Sequence, residues 1–276
     1  MSSKISNILK GSIDIHVHVS PDTQERRMDA LDAARSAYEY EMGGFVLKSN
    51  TYPTAPLAYV LTRMYPNVRI EGSISLSNSI GGINPDAVRS SAELGAKIVW
   101  IPNFNVRNAS NVYEKHTHHP SLVDSHGRLT ADMLEIMDIV EDQKMTLGIG
   151  KIPNDILIPL IETAILRGIS KMIVAYDQNS NLSKSDFAKL KSSGAFVEFS
   201  FSDYMPMNSS FSPADMVNDI QNMGIERSII SSGFGDWYHP PPAEGMRMAV
   251  STMIASGLSQ NETSVLVKDN PYKIIS

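Results

Sequence analysis

Residues 85–101 read PDAVRSSAELGAKIVWI, which predicts a helix followed at once by a strand. Pro85 lies in the first turn of the predicted helix, and Gly95 follows its last residue, Leu94, as glycines commonly do at helix ends. The run 97–101 (KIVWI) is apolar almost throughout. Such runs indicate strands that are buried on both faces, as in a parallel sheet.

The same alternation of buried strand and amphipathic helix extends along the chain. The eight predicted strands are 13–19, 44–47, 68–76, 97–101, 146–149, 171–175, 195–201 and 228–232. The predicted helices are 28–42, 54–65, 85–94, 130–143, 154–167, 183–193, 212–223 and 242–256. Eight strand–helix units in 276 residues predict an α/β protein with a (β/α)8 TIM barrel. A doubly wound open sheet is the alternative, because periodicity does not establish closure.

The barrel interpretation predicts a single domain over residues 1–276. Its one long irregular segment, at about 102–124, is rich in Asn and contains His116, His118 and His119. The segment follows the fourth strand, so we expect it over the C-terminal mouth of the barrel, where active sites of this fold lie.

Composition excludes several kinds of function. The chain has no Cys, which excludes disulfides, thiolate zinc sites, iron–sulfur clusters and a Cys nucleophile. The net charge is -6 and no segment concentrates Lys or Arg, so we expect no nucleic-acid partner. No apolar run approaches the roughly 20 residues of a membrane span, and the N-terminus lacks signal-peptide features. We therefore expect a cytoplasmic protein that does not enter a membrane and acts on a small molecule. Its 15 Met and apolar helices permit a homo-oligomer without requiring one.

The first predicted strand carries a His-x-His motif, His16 and His18. Alternation along a strand places both imidazoles on one face, with Ile15, Val17 and Val19 on the other. Two imidazoles at the end of a barrel strand are able to bind one divalent metal ion. A hydrogen-bonded pair without metal is the alternative.

The stretch IDIHVHVSPD at residues 13–22 resembles the first-strand signature of the amidohydrolase superfamily of metal-dependent hydrolases. The resemblance extends over the chain, including PPPAEGMR at 240–247 and DNPYKII at 269–275. It is strongest to a divergent branch whose second strand ends in Lys before a Pro-Thr turn, here LKSNTYPT at 47–54. The resemblance implies a TIM barrel, a divalent metal, most often zinc, at His16 and His18, and hydrolysis by metal-activated water.

Three positions depart from the pattern of active superfamily members. The resemblance implies a His at the ends of strands five and six and an Asp at the end of strand eight. Lys151, Tyr176 and Gly233 stand there instead. Two His alone leave half of a zinc shell unfilled, so we predict an altered metal site or none.

Other residues are candidates to rebuild the site. We expect Lys48 to be a catalytic group, as a carbamate, a base or a Schiff-base nucleophile, or else a buried Lys paired with Glu71 or Glu198. Glu198 lies in an apolar strand, so we expect it to pair with Lys48, Lys151 or a metal. Lys151 is expected to pair with Glu198 or to bind substrate.

The remaining candidates lie in loops or at strand ends. His239 and Tyr176 are predicted substrate contacts, and Asp236, three positions after Gly233, is a catalytic candidate. His118 is a candidate substrate contact from the loop over the mouth, although a solvated surface group is the simpler interpretation of that loop's His residues.

Three functions remain open from the sequence. The first is an amidohydrolase-like hydrolase of an amide, lactone or related bond in a small polar molecule. The second is a metal-free lyase or decarboxylase in which Lys48, Lys151, Tyr176 and Glu198 carry out proton transfer. The third is a pseudoenzyme that binds a ligand without turnover.

Overall fold

Short parallel strands alternate with longer helices along the chain. A computed structural model describes residues 3–103, 122–176, 183–205 and 211–276. The strands are β1 (Ile13–Val17), β2 (Gly44–Leu47), β3 (Arg69–Glu71), β4 (Ser73–Ser75), β5 (Ile98–Ile101), β6 (Thr146–Ile149), β7 (Met172–Ala175), β8 (Phe196–Ser200) and β9 (Ser228–Ser231). The predicted strands are therefore present, with ends that differ by up to two residues.

Each predicted helix is also present, slightly shorter than predicted. The helices are α1 (Ser3–Leu9), α2 (Ala30–Glu39), α3 (Ala55–Met64), α4 (Pro85–Glu93), α5 (Ala131–Asp142), α6 (Asn154–Leu166), α7 (Lys184–Ser192), α8 (Pro213–Met223), α9 (Pro242–Ala255), α10 (Gln260–Ser264) and α11 (Asn270–Ile275). Side chains cap several of them: Thr130, for example, accepts the Met133 N–H at the start of α5.

The strands form a TIM barrel. Strands β1 to β3 pair in parallel in sequence order, and so do β4 to β9. Strands β3 and β4 are consecutive halves of one barrel strand, and β1 lies against β9. At that junction the His18 N–H donates to the Phe234 carbonyl at 3.1 Å. The Ser232 N–H donates to the Asp14 carboxylate at 3.1 Å, so the first and last strands meet.

The prediction of one continuous third strand was wrong, because Gly72 separates β3 from β4. The hydroxyl of Thr54, just before α3, lies at this break and accepts a hydrogen bond from the Ser73 N–H at 2.8 Å. A Cβ at Gly72 would lie 2.3 Å from the Cα of Ala55. The break therefore lets the start of α3 approach the sheet closely.

The predicted strict alternation along β1 was also wrong. The pairing register of β1 with β2 shifts between Asp14 and Val17. Ile15 packs in the barrel interior with Trp100, whereas Val17 packs in the layer between strands and helices. His16 and His18 nevertheless come together, because the irregularity ends before His18.

Helix α11 packs with the residues that fill the barrel interior. Its Ile274 and Ile275 join a cluster of buried interior side chains. The Thr146 hydroxyl at the start of β6 donates to the Ile274 carbonyl at 2.7 Å. Because strand starts lie at the N-terminal end of a barrel, α11 closes the end opposite the mouth.

The segment predicted over the mouth lies mostly outside the described residues. His116, His118 and His119 fall there, so their expected roles stay predictions. His126, beside it, lies in a turn that ends at Gly127. Among the described residues, no helix is both long enough and apolar enough to cross a membrane.

Candidate active site at the barrel mouth

His16 on β1 and His18, just after β1, face each other at the mouth of the barrel. The Nε2 atoms of His16 and His18 are 3.2 Å apart, and their ring centroids are 5.1 Å apart. Both imidazoles therefore meet at one point, although the register of β1 is irregular before His18. This confirms the predicted proximity of the pair.

Glu198 on β8 is hydrogen-bonded to Nδ1, the second nitrogen of the His16 ring. Its Oε1 lies 2.7 Å from His16 Nδ1 and accepts the Ser231 hydroxyl at 2.6 Å. Glu198 is 2% exposed, and its Oε2 has no hydrogen-bond partner among the described residues. Pairing with Lys48, Lys151 or a metal was expected, so the partner His16 is a correction. The closure of β9 against β1 brings β8 near His16.

The charges of this pair follow from burial and contact. Burial alone would raise the pKa of Glu198, but His16, Lys48 and the Ser231 hydrogen bond outweigh it and hold that pKa at about 2. Burial, followed by the Lys48 charge, lowers the pKa of His16. At neutral pH a neutral His16 therefore donates from Nδ1–H to an ionised Glu198. The lone pair of its Nε2 then faces His18.

Burial is also the main cause of a lowered pKa at His18. Together with the neighbouring His16 and Arg26, burial holds the pKa of His18 well below its ordinary value. Both rings are therefore neutral at pH 7, which is the form that binds a metal ion.

Lys48, the residue after β2, lies beside this pair. Its side chain is buried, and its Nζ lies 4.1 Å from the ring centroid of Trp100. Burial lowers the pKa of Lys48 to about 8, with Glu198 opposing the shift. Among the described residues Lys48 Nζ forms no ion pair, so the expected pair with Glu71 or Glu198 is absent. Glu71 binds Arg69 instead.

Trp100 is a site residue that the sequence analysis did not identify. It lies fully buried on β5, within the barrel, with its ring centroid 5.8 Å from that of His16. A Cβ at Gly148, its partner on β6, would lie 2.2 Å from the indole ring. The pairing of a large aromatic residue with a strand Gly was the available signal.

Lys151 binds a carboxylate other than the expected one. Its Nζ lies 2.6 Å from Asp203 Oδ2, so the predicted pair with Glu198 is wrong. Asn103 Oδ1 accepts the Lys151 backbone N–H at 2.8 Å and fixes the chain there. Lys151 still contributes positive charge near Lys48 and lowers the pKa of that amine.

Tyr176 packs against Phe199, with ring centroids 4.9 Å apart. Its backbone N–H donates to the Glu198 carbonyl at 2.8 Å, which places the residue beside the strand that carries Glu198. Its role as a substrate contact stays a prediction.

Asp236, in the loop after β9, forms an ion pair with Arg26, in the loop after β1. Arg26 NH1 lies 2.6 Å from Asp236 Oδ1, and the Tyr238 hydroxyl donates to Oδ2 at 3.1 Å. The same guanidinium binds Asp22 at 2.8 Å. This buried Arg26, which nothing in the sequence distinguished, ties the loop after β1 to the loop after β9.

Gly233 stands where an Asp was expected, and serine side chains on and just after β8 fill the space beside it. Gly233 has φ +64, and a Cβ there would lie 1.9 Å from the Ser200 hydroxyl. Serine hydroxyls therefore occupy the space next to Gly233.

His239, farther along, is buried and stacks on Phe234 at a centroid distance of 4.5 Å. Its predicted contact with substrate stays a prediction.

The two histidines fit a metal ion as a two-ligand anchor. Two nitrogens bound tetrahedrally at about 2.0–2.1 Å lie about 3.4 Å apart, close to the observed 3.2 Å. The Glu198–His16 contact is the arrangement in which a carboxylate orients a metal-binding imidazole. Within the described residues, however, no group of three or more His, Cys, Asp or Glu side chains is placed to hold a metal.

Comparison with family models assigns the chain. A model described as "Family of unknown function (DUF6282)" matches residues 11–198, about two thirds of the chain. The chain belongs to this family. The match begins just before β1 and ends at Glu198, so it includes His16, His18 and Lys48. No curated protein matches the sequence.

Solved structures share the barrel at low sequence identity. A phosphotriesterase homology protein from Escherichia coli, complexed with phosphate in its active site, is 12% identical, with a TM-score of 0.65 over 97% of this chain and 99% of that one. An amidohydrolase from Pseudomonas aeruginosa is 10% identical, with a TM-score of 0.61 over 98% of each chain. A TatD homologue from Escherichia coli is 9% identical, with a TM-score of 0.63 over 97% and 98%. These similarities establish the fold.

Proposed function

We propose that this chain is an amidohydrolase-like hydrolase of a small polar molecule, with a divalent metal ion, zinc first, at His16 and His18. One observation carries the proposal: two neutral imidazoles face each other through their Nε2 atoms at 3.2 Å. The Glu198 carboxylate supports the proposal. Because it accepts a hydrogen bond from His16 Nδ1–H, the proton of the neutral ring is on Nδ1, and the Nε2 of His16 keeps a lone pair for a metal ion. The fold shared with an amidohydrolase agrees with it.

The protein residues have separate tasks in this proposal. Glu198 is a positioning residue, since it touches His16 rather than the reacting atoms. Ser231 donates to the same Oε1 and fixes the carboxylate. Trp100 excludes water beneath the site, because its fully buried ring fills the barrel interior.

A divalent ion bound there would supply Lewis-acid chemistry, polarising a carbonyl and promoting ionisation of water. The bond attacked is an amide, lactone or related bond. Asp236 is not a free base in this arrangement, because Arg26 binds it.

Metal analysis of the purified protein tests the proposal directly. We expect close to one equivalent of zinc, manganese or iron after expression in supplemented medium. His16→Asn and His18→Asn should each lose it. His126→Asn, which changes an exposed turn residue, is the matched control and should retain it.

Glu198→Gln provides a graded version of the same test. Loss of a carboxylate that orients a metal-binding His typically lowers metal affinity by about 10–100-fold. Glu71→Gln, whose carboxylate binds Arg69 on β3, should leave affinity unchanged. A metal-free wild-type protein would overturn the hydrolase proposal and leave a metal-free lyase or a ligand-binding protein.

A further inference from the structure

Lys48 carries a buried positive charge that the described residues leave without an ion pair. A buried charge is costly unless it is paired or hydrogen-bonded. Only 8% of Lys48 is exposed, yet no carboxylate oxygen among the described residues lies within ion-pair distance of Nζ. Within the described part of the chain, this cation therefore has no anion in contact with it.

The carboxylates around Lys48 form their ion pairs and hydrogen bonds with other groups. Glu198 directs Oε1 to His16 and Ser231. Asp203 binds Lys151 at 2.6 Å. The Glu198 charge acts on Lys48 from a distance, and neither carboxylate accepts a hydrogen bond from Lys48 Nζ.

The indole of Trp100 covers one side of the ammonium group. The 4.1 Å separation from the ring centroid is that of a cation–π contact, which stabilises the charged form. An indole face offers no oxygen acceptor, so the donors of Lys48 that point away from the ring remain available. Lys48 follows β2 directly, at the C-terminal end of the barrel, where ligands enter.

We propose that Lys48 binds a small oxyanion, a carboxylate or phosphate group of the substrate, beside His16 and His18. The proposal rests on the proposed function only in taking the mouth as the substrate site. Binding of the oxyanion needs the ammonium and not the metal.

Fluorescence of Trp100 reports on this site. The chain has two Trp residues, so Trp237→Phe leaves Trp100 as the sole indole. Inorganic phosphate and acetate are titrated into this protein, both as purified and after treatment with a chelator. We expect a saturable change in emission with at least one of the two anions in both preparations.

Substitutions at Lys48 identify the binding group. Lys48→Met in the same background should weaken binding by about ten-fold or more, and Lys48→Arg should retain part of it. Lys171→Met is the matched control, since Lys171 lies before β7, at the opposite end of the barrel, and should leave binding unchanged.

A measurement on the unsubstituted protein covers the case in which Lys48→Met does not fold. Phosphate or acetate should slow acetylation of Lys48, followed by mass spectrometry, without slowing that of Lys171. Absence of saturable binding, equal binding by folded Lys48→Met, or acetylation of Lys48 unaffected by both anions would overturn the proposal. Binding that persists in chelated protein upholds it even where no metal is found, so the two proposals fail separately.

Discussion

The hydrogen bond between His16 and Glu198 determines which groups at the mouth are charged. A carboxylate in a strand as apolar as AFVEFSF would ordinarily take up a proton. Here the imidazole N–H, the Ser231 hydroxyl and the Lys48 charge keep it ionised instead. One contact therefore fixes the charge of Glu198 and the tautomer of His16 together.

Acid unfolding tests the charge of Glu198. Its pKa of about 2 in the folded protein lies below the ordinary 4.5, so its ionisation stabilises the fold above pH 4.5. That contribution is lost as the pH falls from 4.5 towards 2. We expect the free energy of unfolding of Glu198→Gln, measured with urea at several pH values, to lack this decline. Parallel curves for the two proteins would contradict the assignment.

The partners of individual site residues were the least predictable from sequence. The pattern DIHVH predicted that His16 and His18 meet, because both lie close together on one strand. It did not predict that Glu198 binds His16, since that contact depends on which strands become neighbours when the barrel closes. Trp100 and the ion pair of Arg26 with Asp236 were missed for the same reason, because both depend on contacts between residues distant in sequence.

At the scale of strands and helices, most of the architecture was predictable. Gly, Pro and capping residues mark helix ends locally, so α4 and α5 begin at the residue predicted or one later. The two errors in strands, the break at Gly72 and the irregular register after Asp14, arise from tertiary contacts. The approach of α3 to the sheet and the pairing of β1 leave little local signal.

The junction of β1 with β9 contains a buried carboxyl group. Asp14 accepts the backbone N–H and the hydroxyl of Ser232, and the His16 N–H at 3.2 Å. Burial raises the pKa of Asp14 to about 7 against these hydrogen bonds. Asp14 was absent from the predicted site, although a carboxylate in an otherwise buried strand was a signal for it.

Asp14→Asn tests that junction through its pH dependence. A folded pKa above the ordinary 3.8 means that the contribution of Asp14 to stability is complete below pH 3.8. It is then lost as the pH rises through about 7. We expect the stability of Asp14→Asn relative to wild type to increase between pH 4 and pH 8 in urea unfolding. A difference that is constant across this range would show that Asp14 does not titrate there.

On the scale of the whole molecule, α11 and the barrel strands form one packing unit. Asn270 is fully buried, and its Nδ2 donates to the carbonyls of Ile225 and Ser228, each at 2.8 Å. These bonds fix the start of α11 under β9. The C-terminal DNPYKII was noted only as a resemblance, and its physical role is to close the lower end of the barrel.

Asn270→Ala should therefore destabilise the whole fold. The substitution leaves the buried Ser228 carbonyl and the partly buried Ile225 carbonyl without this donor, at a cost of about 1–3 kcal/mol. Thermal and urea unfolding should both shift cooperatively. Glu93→Ala removes an exposed side chain of α4 and serves as the control, with a change within about 0.5 kcal/mol. Equal effects of the two substitutions would contradict the assigned role of Asn270.

The junction between β1 and β9 also constrains how the protein folds. It joins Asp14 to Ser232, 218 positions apart in the sequence. Contacts between distant residues form slowly, because a long flexible chain must first bring its ends together. Until they meet, β1 and β9 both have unpaired edges of the kind that recruit strands from other molecules. Aggregation during refolding should therefore depend on concentration and begin at these two strands.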